Sequence, residues 1–215
     1  MKKLIIFDLD GTLLNTIADL AAATNYALNI LGFPAHPQAA YFHFVGNGVS
    51  KLLERALPPA ARTSENIQKM RALFVPYYDV HKTDKTIPYE GIIPLLQELA
   101  RRKIKLAVAS NKYQAATQQL MAHYFANIPF AAVYGQQSGV PNKPDPLLVR
   151  HIMRLTEMAA ADTLYVGDSD VDMQTAQNAG VDACAVLWGF RSREELAAYR
   201  PVLLAEKPSD ILRLV

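Results

Sequence analysis

A single cysteine, Cys184, leaves the chain without an internal disulfide and without a thiolate cluster for zinc. A reducing, intracellular setting is compatible with that, and a cytoplasmic location is the expectation. Runs of lysine and arginine are also missing, and the formal charge is only +2. No nucleic-acid surface is expected from such a balance. The apolar segment after Met1-Lys2-Lys3 is short and breaks at Asp8, so neither a signal peptide nor a membrane span is expected. The five histidines, His36, His43, His81, His123 and His151, show no metal-ligand spacing. Gly46-Asn47-Gly48 is no dinucleotide fingerprint, since no strand precedes it and a third glycine is missing. Ser50-Lys51 lacks the upstream spacing of a P-loop. What is present is an ordinary globular balance, 51% hydrophobic and 20% charged over 215 residues. That is enough for one moderate domain or for a core carrying a smaller insert.

The chain is organised around Ile5-Ile6-Phe7-Asp8-Leu9-Asp10-Gly11-Thr12. Leu4 to Phe7 read as a buried strand, rich in β-forming side chains. It stops at two carboxylates spaced i and i+2, which a period of two places on one side of the chain. Gly11 permits a sharp turn there. Asp and Gly are also common turn formers, so a plain surface turn competes for these residues in isolation. Ligands, however, bind at the carboxyl ends of strands in parallel α/β sheets.

From about residue 15 to 83 the pattern is helical throughout, with no strand expected. Thr16 is placed to cap an alanine-rich helix that Gly32 and Pro34 end. Further helices are expected at about Pro37 to Phe44, Val49 to Leu57, and from Ser64 through Tyr78. From Ile87 onward strands and helices alternate. Strands are expected at Lys105–Ala109, Phe130–Val133, Thr163–Val166 and Asp182–Leu187, with helices between them and one more opened by Asn142-Lys143-Pro144-Asp145-Pro146. This rhythm predicts an α/β fold: a doubly wound, Rossmann-like parallel sheet core of residues 1–14 and 84–215, interrupted by an all-helical cap domain at 15–83.

The expected strand ends carry Asp8 and Asp10, Ser110, and Asp168 with Asp172, while Lys143 stands at a loop-to-helix junction. Singly, Ser110 could be a helix cap, Lys143 a solvated lysine, and the acids near 170 a first-turn enrichment. Together they converge on one sheet edge. Carboxylates crowded there repel by about 4 kcal/mol per pair at ~4 Å and an effective dielectric of ~20. Either they take up protons or a cation sits among them. An all-oxygen donor set suits a hard divalent ion, best Mg²⁺. A hydroxyl, helix-start N–H groups and a lysine make a receptor for a doubly charged oxyanion. Cation, anion receptor and carboxylate nucleophile together suggest phosphoryl transfer.

Asp8-Leu9-Asp10-Gly11-Thr12-Leu13, Ser110-Asn111-Lys112, Lys143-Pro144 and Gly167-Asp168-Ser169-Asp170-Val171-Asp172 resemble the four motifs of the haloacid dehalogenase superfamily, in order. The helical insert resembles that superfamily's cap of the first type. Asp19-Leu20-Ala21-Ala22-Ala23, Val45-Gly46-Asn47-Gly48-Val49 and Leu52-Leu53-Glu54-Arg55-Ala56-Leu57 look like phosphoglycolate phosphatases. Asn15-Thr16 departs from the Asp-Ser of many relatives. The resemblance implies that Asp8 attacks phosphorus to form an aspartyl-phosphate, and that Asp10 protonates the leaving alkoxide and later activates water. It implies Mg²⁺ held by the Asp8 carboxylate, the Asp10 carbonyl and Asp168, with Asp172 in support. Ser110 and Lys143 would hold the phosphoryl oxygens, with Asn111 beside them.

Selection among substrates is then expected from the cap. Gly46, Asn47 and Gly48 could bring backbone close to a small substrate, or form a plain inter-helix turn. Lys51 or Arg55 could supply a cation for a glycolate carboxylate. The expected activity is Mg²⁺-dependent hydrolysis of a small phosphate ester, best 2-phosphoglycolate, by a monomer or homodimer without a nucleic-acid or membrane partner. Sugar phosphates, nucleotides and pyrophosphate are alternative substrates; a phosphomutase and a phospho-receiver module are alternative functions.

Overall fold

The computed structural model describes all 215 residues. Strand β1 (Leu4–Phe7) runs into a loop and then into β2 (Leu14–Asn15). Helices α1 (Ile17–Ile30), α2 (Tyr41–Phe44), α3 (Val49–Ala56) and α4 (Ser64–His81) follow. The chain returns through β3 (Ile87–Pro88) to α5 (Ile92–Arg101), β4 (Lys105–Tyr113), α6 (Gln114–Phe125) and β5 (Phe130–Gln136). Then come α7 (Leu147–Leu155), β6 (Thr163–Gly167), α8 (Asp170–Ala179), β7 (Asp182–Val186), α9 (Arg193–Ala197) and β8 (Leu203–Ala205).

Six strands form one sheet in the order β5-β4-β1-β6-β7-β8, every pair parallel. Period-two alternation sorts β1 cleanly. Ile5 and Phe7 pack with Leu106, Val108, Leu164 and Val166 against α5 and α6. Leu4 and Ile6 pack with Ala107, Ala109 and Tyr165 against α7 and α8. Burial on both faces explains why β1 is apolar throughout rather than alternating. The fold is therefore the doubly wound α/β sheet expected. The helices between β2 and β3 bury their own apolar stripe, with Leu28, Tyr41, Leu53, Phe74 and Tyr78 at its centre.

Some elements differ from expectation. Asn15 is not helical: Leu14 and Asn15 pair antiparallel with Pro88 and Ile87, so the two chain crossings form a two-stranded ribbon. The segment expected as a helix from Pro37 splits into a 3₁₀ turn at Gln38–Ala40 and the single turn of α2. Strand β4 extends through Ser110-Asn111-Lys112 to Tyr113, with irregular register past Ala109. Edge strand β8 had no expectation. No helix is long and apolar enough to cross a membrane.

Candidate active site

Register alone brings the distant motifs together. Phe7 lies level with Val108 on one side and with Val166 on the other. Asp8 leaves β1 one residue later, and its N–H donates to the Val166 carbonyl at 2.9 Å. Ser110 and Asp168 each follow two residues beyond their paired valines. Asp172 comes one helical turn after Asp168, fixed by a capping box: Ser169 accepts from the Asp172 N–H, and the Asp172 carboxylate accepts from the Ser169 N–H. Gly11 has φ +86°, and a Cβ there would fall 2.3 Å from Asp168 Oδ2. Only glycine lets the turn after β1 press this closely on the acid.

Asp8, Asp168 and Asp172 are all buried, with one oxygen of each lying within 4.8 Å of the others. Lys143 reaches into the group. Its ammonium lies 2.7 Å from Asp172 Oδ1 and 2.9 Å from Asp8 Oδ1. The Asp172 contact is a proper hydrogen bond, as is one to the Tyr165 hydroxyl at 3.0 Å. Apart from this ion pair with Lys143, Asp8 Oδ1 is a buried oxygen with no further hydrogen-bond donor. Burial, then the charge of Asp172, pushes the Asp8 carboxyl up to about 7 against the pull of Lys143. Burial together with Asp172 and Asp8 holds Asp168 well above the usual carboxylate range, although Phe190 N–H and Thr12 Oγ1 both donate to it. Burial disfavours the charged form of Lys143, but Asp172 and Asp8 outweigh it and raise the amine.

A divalent cation fits this set. The donors are all hard oxygens, and burial together with their mutual repulsion raises Asp8 and Asp168, a cost that a bound cation would offset. Asp172 contributes chiefly by anchoring, since Lys143 and Ser169 occupy both of its oxygens.

Asp10 sits beside this cluster rather than in it. Its Oδ1 accepts from Thr16 Oγ1 at 2.7 Å, and its Oδ2 from Lys112 Nζ at 2.9 Å. Thr16 thus stands at the start of α1 without capping it; its hydroxyl is committed to Asp10. Ser110 is buried and borders the same cavity of about 40 Å³ as Asp8, Asp10 and Lys112.

The cap-loop residues separate. Gly48 (φ +83°) packs where a Cβ would sit 3.2 Å from the Asn111 carbonyl. Asn111 Nδ2 donates to the Gly46 and Lys143 carbonyls, and its Oδ1 accepts the Lys143 N–H. Asn111 therefore ties this loop to the Lys143 loop, and what the glycines approach is the core. Asn47 does not border the cavity; its Oδ1 accepts from Arg55 Nη2. Arg55 further donates to the His43 and Phe44 carbonyls, bracing the loop from outside. Lys51 is not brought to the site. The buried face of α3 is Val49, Leu52, Leu53 and Ala56, so helical phase turns Lys51 to solvent, where it pairs with Glu54 at 2.7 Å.

Sequence reasoning missed three contributors. Lys112 was only part of a motif, yet it is buried against Asp10. Arg191 clamps the loop from the core side, donating to the Phe42 and Val45 carbonyls. Asp19 is buried and accepts from Lys85 N–H, Thr86 N–H and Thr86 Oγ1, bracing the returning crossing.

Comparison with known proteins matches this geometry. The chain matches the family of haloacid dehalogenase-like hydrolases over residues 5–186. It is 31% identical to a phosphoglycolate phosphatase of Vibrio parahaemolyticus, covering 99% of this chain and 96% of that one. It is 33% identical to one of Mesorhizobium japonicum, over 89% of this chain and 86% of that one. A crystal structure from Lactobacillus delbrueckii subsp. bulgaricus, provisionally described as a phosphoglycolate phosphatase, superposes with a TM-score of 0.92 at 33% identity. That match covers 98% of this chain and 97% of the other.

Proposed function

The chain belongs to the haloacid dehalogenase-like hydrolases, as a phosphoric monoester hydrolase, and from that premise we propose that it converts 2-phosphoglycolate to glycolate and phosphate through an aspartyl-phosphate on Asp8. The observation that carries this reading is the placement of Asp8 at the end of β1, its buried carboxylate 2.9 Å from the Lys143 ammonium and bordering a cavity that Ser110 and Asp10 share. The Asp8 oxygen bonds to phosphorus as the ester P–O bond breaks, and Asp10, which enters this step in its acid form, gives its proton to the leaving alkoxide. Asp10 then takes a proton from water, which attacks the phosphoryl group and releases Asp8. Lys112 and Thr16 hold the Asp10 carboxyl in place for both transfers. Lys143 and Ser110 stand where the phosphoryl oxygens gather charge. Mg²⁺ bound by Asp8 and Asp168, with Asp172 behind them, would supply charge neutralisation for the transferring group.

Residues 15–83 serve as a cap over a core of 1–14 and 84–215. The ribbon of β2 and β3 and the Asp19 clamp lie at the crossings, where a hinge would act. Closure would exclude bulk water while Asp8 is phosphorylated. A phosphate-release assay over 2-phosphoglycolate, sugar phosphates, nucleotides and pyrophosphate, with and without Mg²⁺, tests the reading. The highest kcat/KM for 2-phosphoglycolate, lost without Mg²⁺, supports it; preference for another class, or metal-independent turnover, contradicts it.

A further inference from the structure

The cavity over Asp8 and Asp10 is lined differently from its two sides. The helical segment contributes aliphatic and aromatic side chains such as Leu20, Val45, Leu52 and Phe74, two glycines, and one side chain with a polar atom, Tyr78. Tyr78 is fully buried, and its hydroxyl has no hydrogen-bond partner. Burying an unpaired hydroxyl is unfavourable, so the protein carries a cost that phenylalanine at this position would avoid. Phe74 stacks on the Tyr78 ring with centroids 5.3 Å apart, and Lys112 Nζ lies 4.8 Å from the ring centroid.

Away from Asp8, the hydrogen-bonding capacity left in the cavity is on the donor side. Both Asp10 oxygens are taken by Thr16 and Lys112, and Asn111 Oδ1 is taken by the Lys143 N–H. The donors left over are the Tyr78 hydroxyl, the remaining ammonium hydrogens of Lys112, and the start of α3 at Gly48 and Val49, which no side chain caps. A surplus of donors beside a buried cation suits an acceptor-only, negatively charged group.

We propose that the Tyr78 hydroxyl, with Lys112 beside it, receives a carboxylate on the alcohol end of the substrate, and so selects a phosphorylated two-carbon hydroxy acid over carboxylate-free esters of the same size. This rests on the phosphatase reading above and assigns its specificity to one side chain. Lys51 and Arg55 take no part, being committed to Glu54 and to the loop carbonyls.

The test compares the wild-type enzyme with Tyr78→Phe on 2-phosphoglycolate and on ethyl phosphate, with Mg²⁺ present, and follows thermal unfolding of both proteins. Tyr78→Phe is expected to lose about 10- to 100-fold in kcat/KM on 2-phosphoglycolate, mostly through KM. Ethyl phosphate hydrolysis should stay within about twofold, and the unfolding midpoint should hold or rise because the deleted hydroxyl has no partner. Unchanged 2-phosphoglycolate kinetics, equal losses on both esters, or a lowered midpoint would overturn the assignment. Wild-type enzyme with no preference for 2-phosphoglycolate over ethyl phosphate would overturn it too, while leaving phosphatase activity standing. Hydrolysis of neither ester would remove the phosphatase reading, and this assignment with it.

Discussion

The Lys112 ammonium lies 2.9 Å from Asp10 Oδ2, an ion pair between residues 102 positions apart that places a buried lysine on the acid proposed to move the proton. Thr16 Oγ1 holds the other oxygen at 2.7 Å. With two donors the carboxyl has one orientation, and a proton donor must sit within hydrogen-bond reach of its leaving group.

Thr16→Val should therefore lower kcat by about tenfold or more, with little change in KM, because proton transfer and not binding depends on the Asp10 position. Thr16→Ser keeps the donor and should retain most activity. Steady-state kinetics of the pair checks this. Equal activity of the valine and serine variants would separate Thr16 from Asp10 function.

Lys143 is the one cation among the three buried acids. Lys143→Ala should abolish turnover and, in metal-free protein, lower stability to urea by about 3–5 kcal/mol, the usual consequence of leaving buried charge unpaired. Added Mg²⁺ should recover part of the stability but not the activity.

Asp8, pushed up to about 7, and Asp168, raised well above its ordinary range, bind protons in the folded protein that the unfolded chain would release. Their contribution to stability is full below the unfolded carboxylate value of about 4 and is lost as pH rises through the folded values. The thermal midpoint of metal-free protein should fall across about pH 5 to 7.5, and the fall should shrink in Asp8→Asn. Mg²⁺ favours the ionised acids, so it should raise the midpoint more at the upper end of that window than at the lower. Scanning calorimetry with chelator and with Mg²⁺ measures both trends; a flat profile, or a metal effect independent of pH, would contradict the shared origin.

Asp19 accepts hydrogen bonds from three donors, Lys85 N–H, Thr86 N–H and Thr86 Oγ1, at the returning crossing. Asp19→Ala leaves the Thr86 N–H and hydroxyl buried and unpaired, which costs about 1–3 kcal/mol. Limited proteolysis should cut faster near residues 82–86 in this variant. An unchanged cleavage rate would show that the crossing is braced elsewhere, for instance by the Tyr124 hydroxyl on the Thr86 carbonyl.

The core was legible because strand ends announce themselves: apolar runs stop at Asp8, before Ser110 and at Gly167-Asp168, and parallel pairing does the rest. The two-residue strands β2 and β3 are too short to show any period, so the ribbon joining the crossings was invisible. Lys51 and Arg55 were interchangeable on paper, yet helical phase sends Lys51 to Glu54, and Arg55 reaches back to the loop carbonyls. Tyr78 reads as one more apolar position of α4; only its missing partner marks it as different. Lys112 and Arg191 depend on long-range geometry, since Asp10 for the one and the Phe42 carbonyl for the other lie more than a hundred residues away in the chain.

The most direct measurement is mass spectrometry of enzyme acid-quenched during turnover of 2-phosphoglycolate with Mg²⁺. One phosphoryl group should appear on the peptide that contains Asp8, and should vanish in Asp8→Asn together with phosphate release. A phosphoryl group on any other residue, or sustained turnover by Asp8→Asn, would mean that Asp8 is not the attacking group.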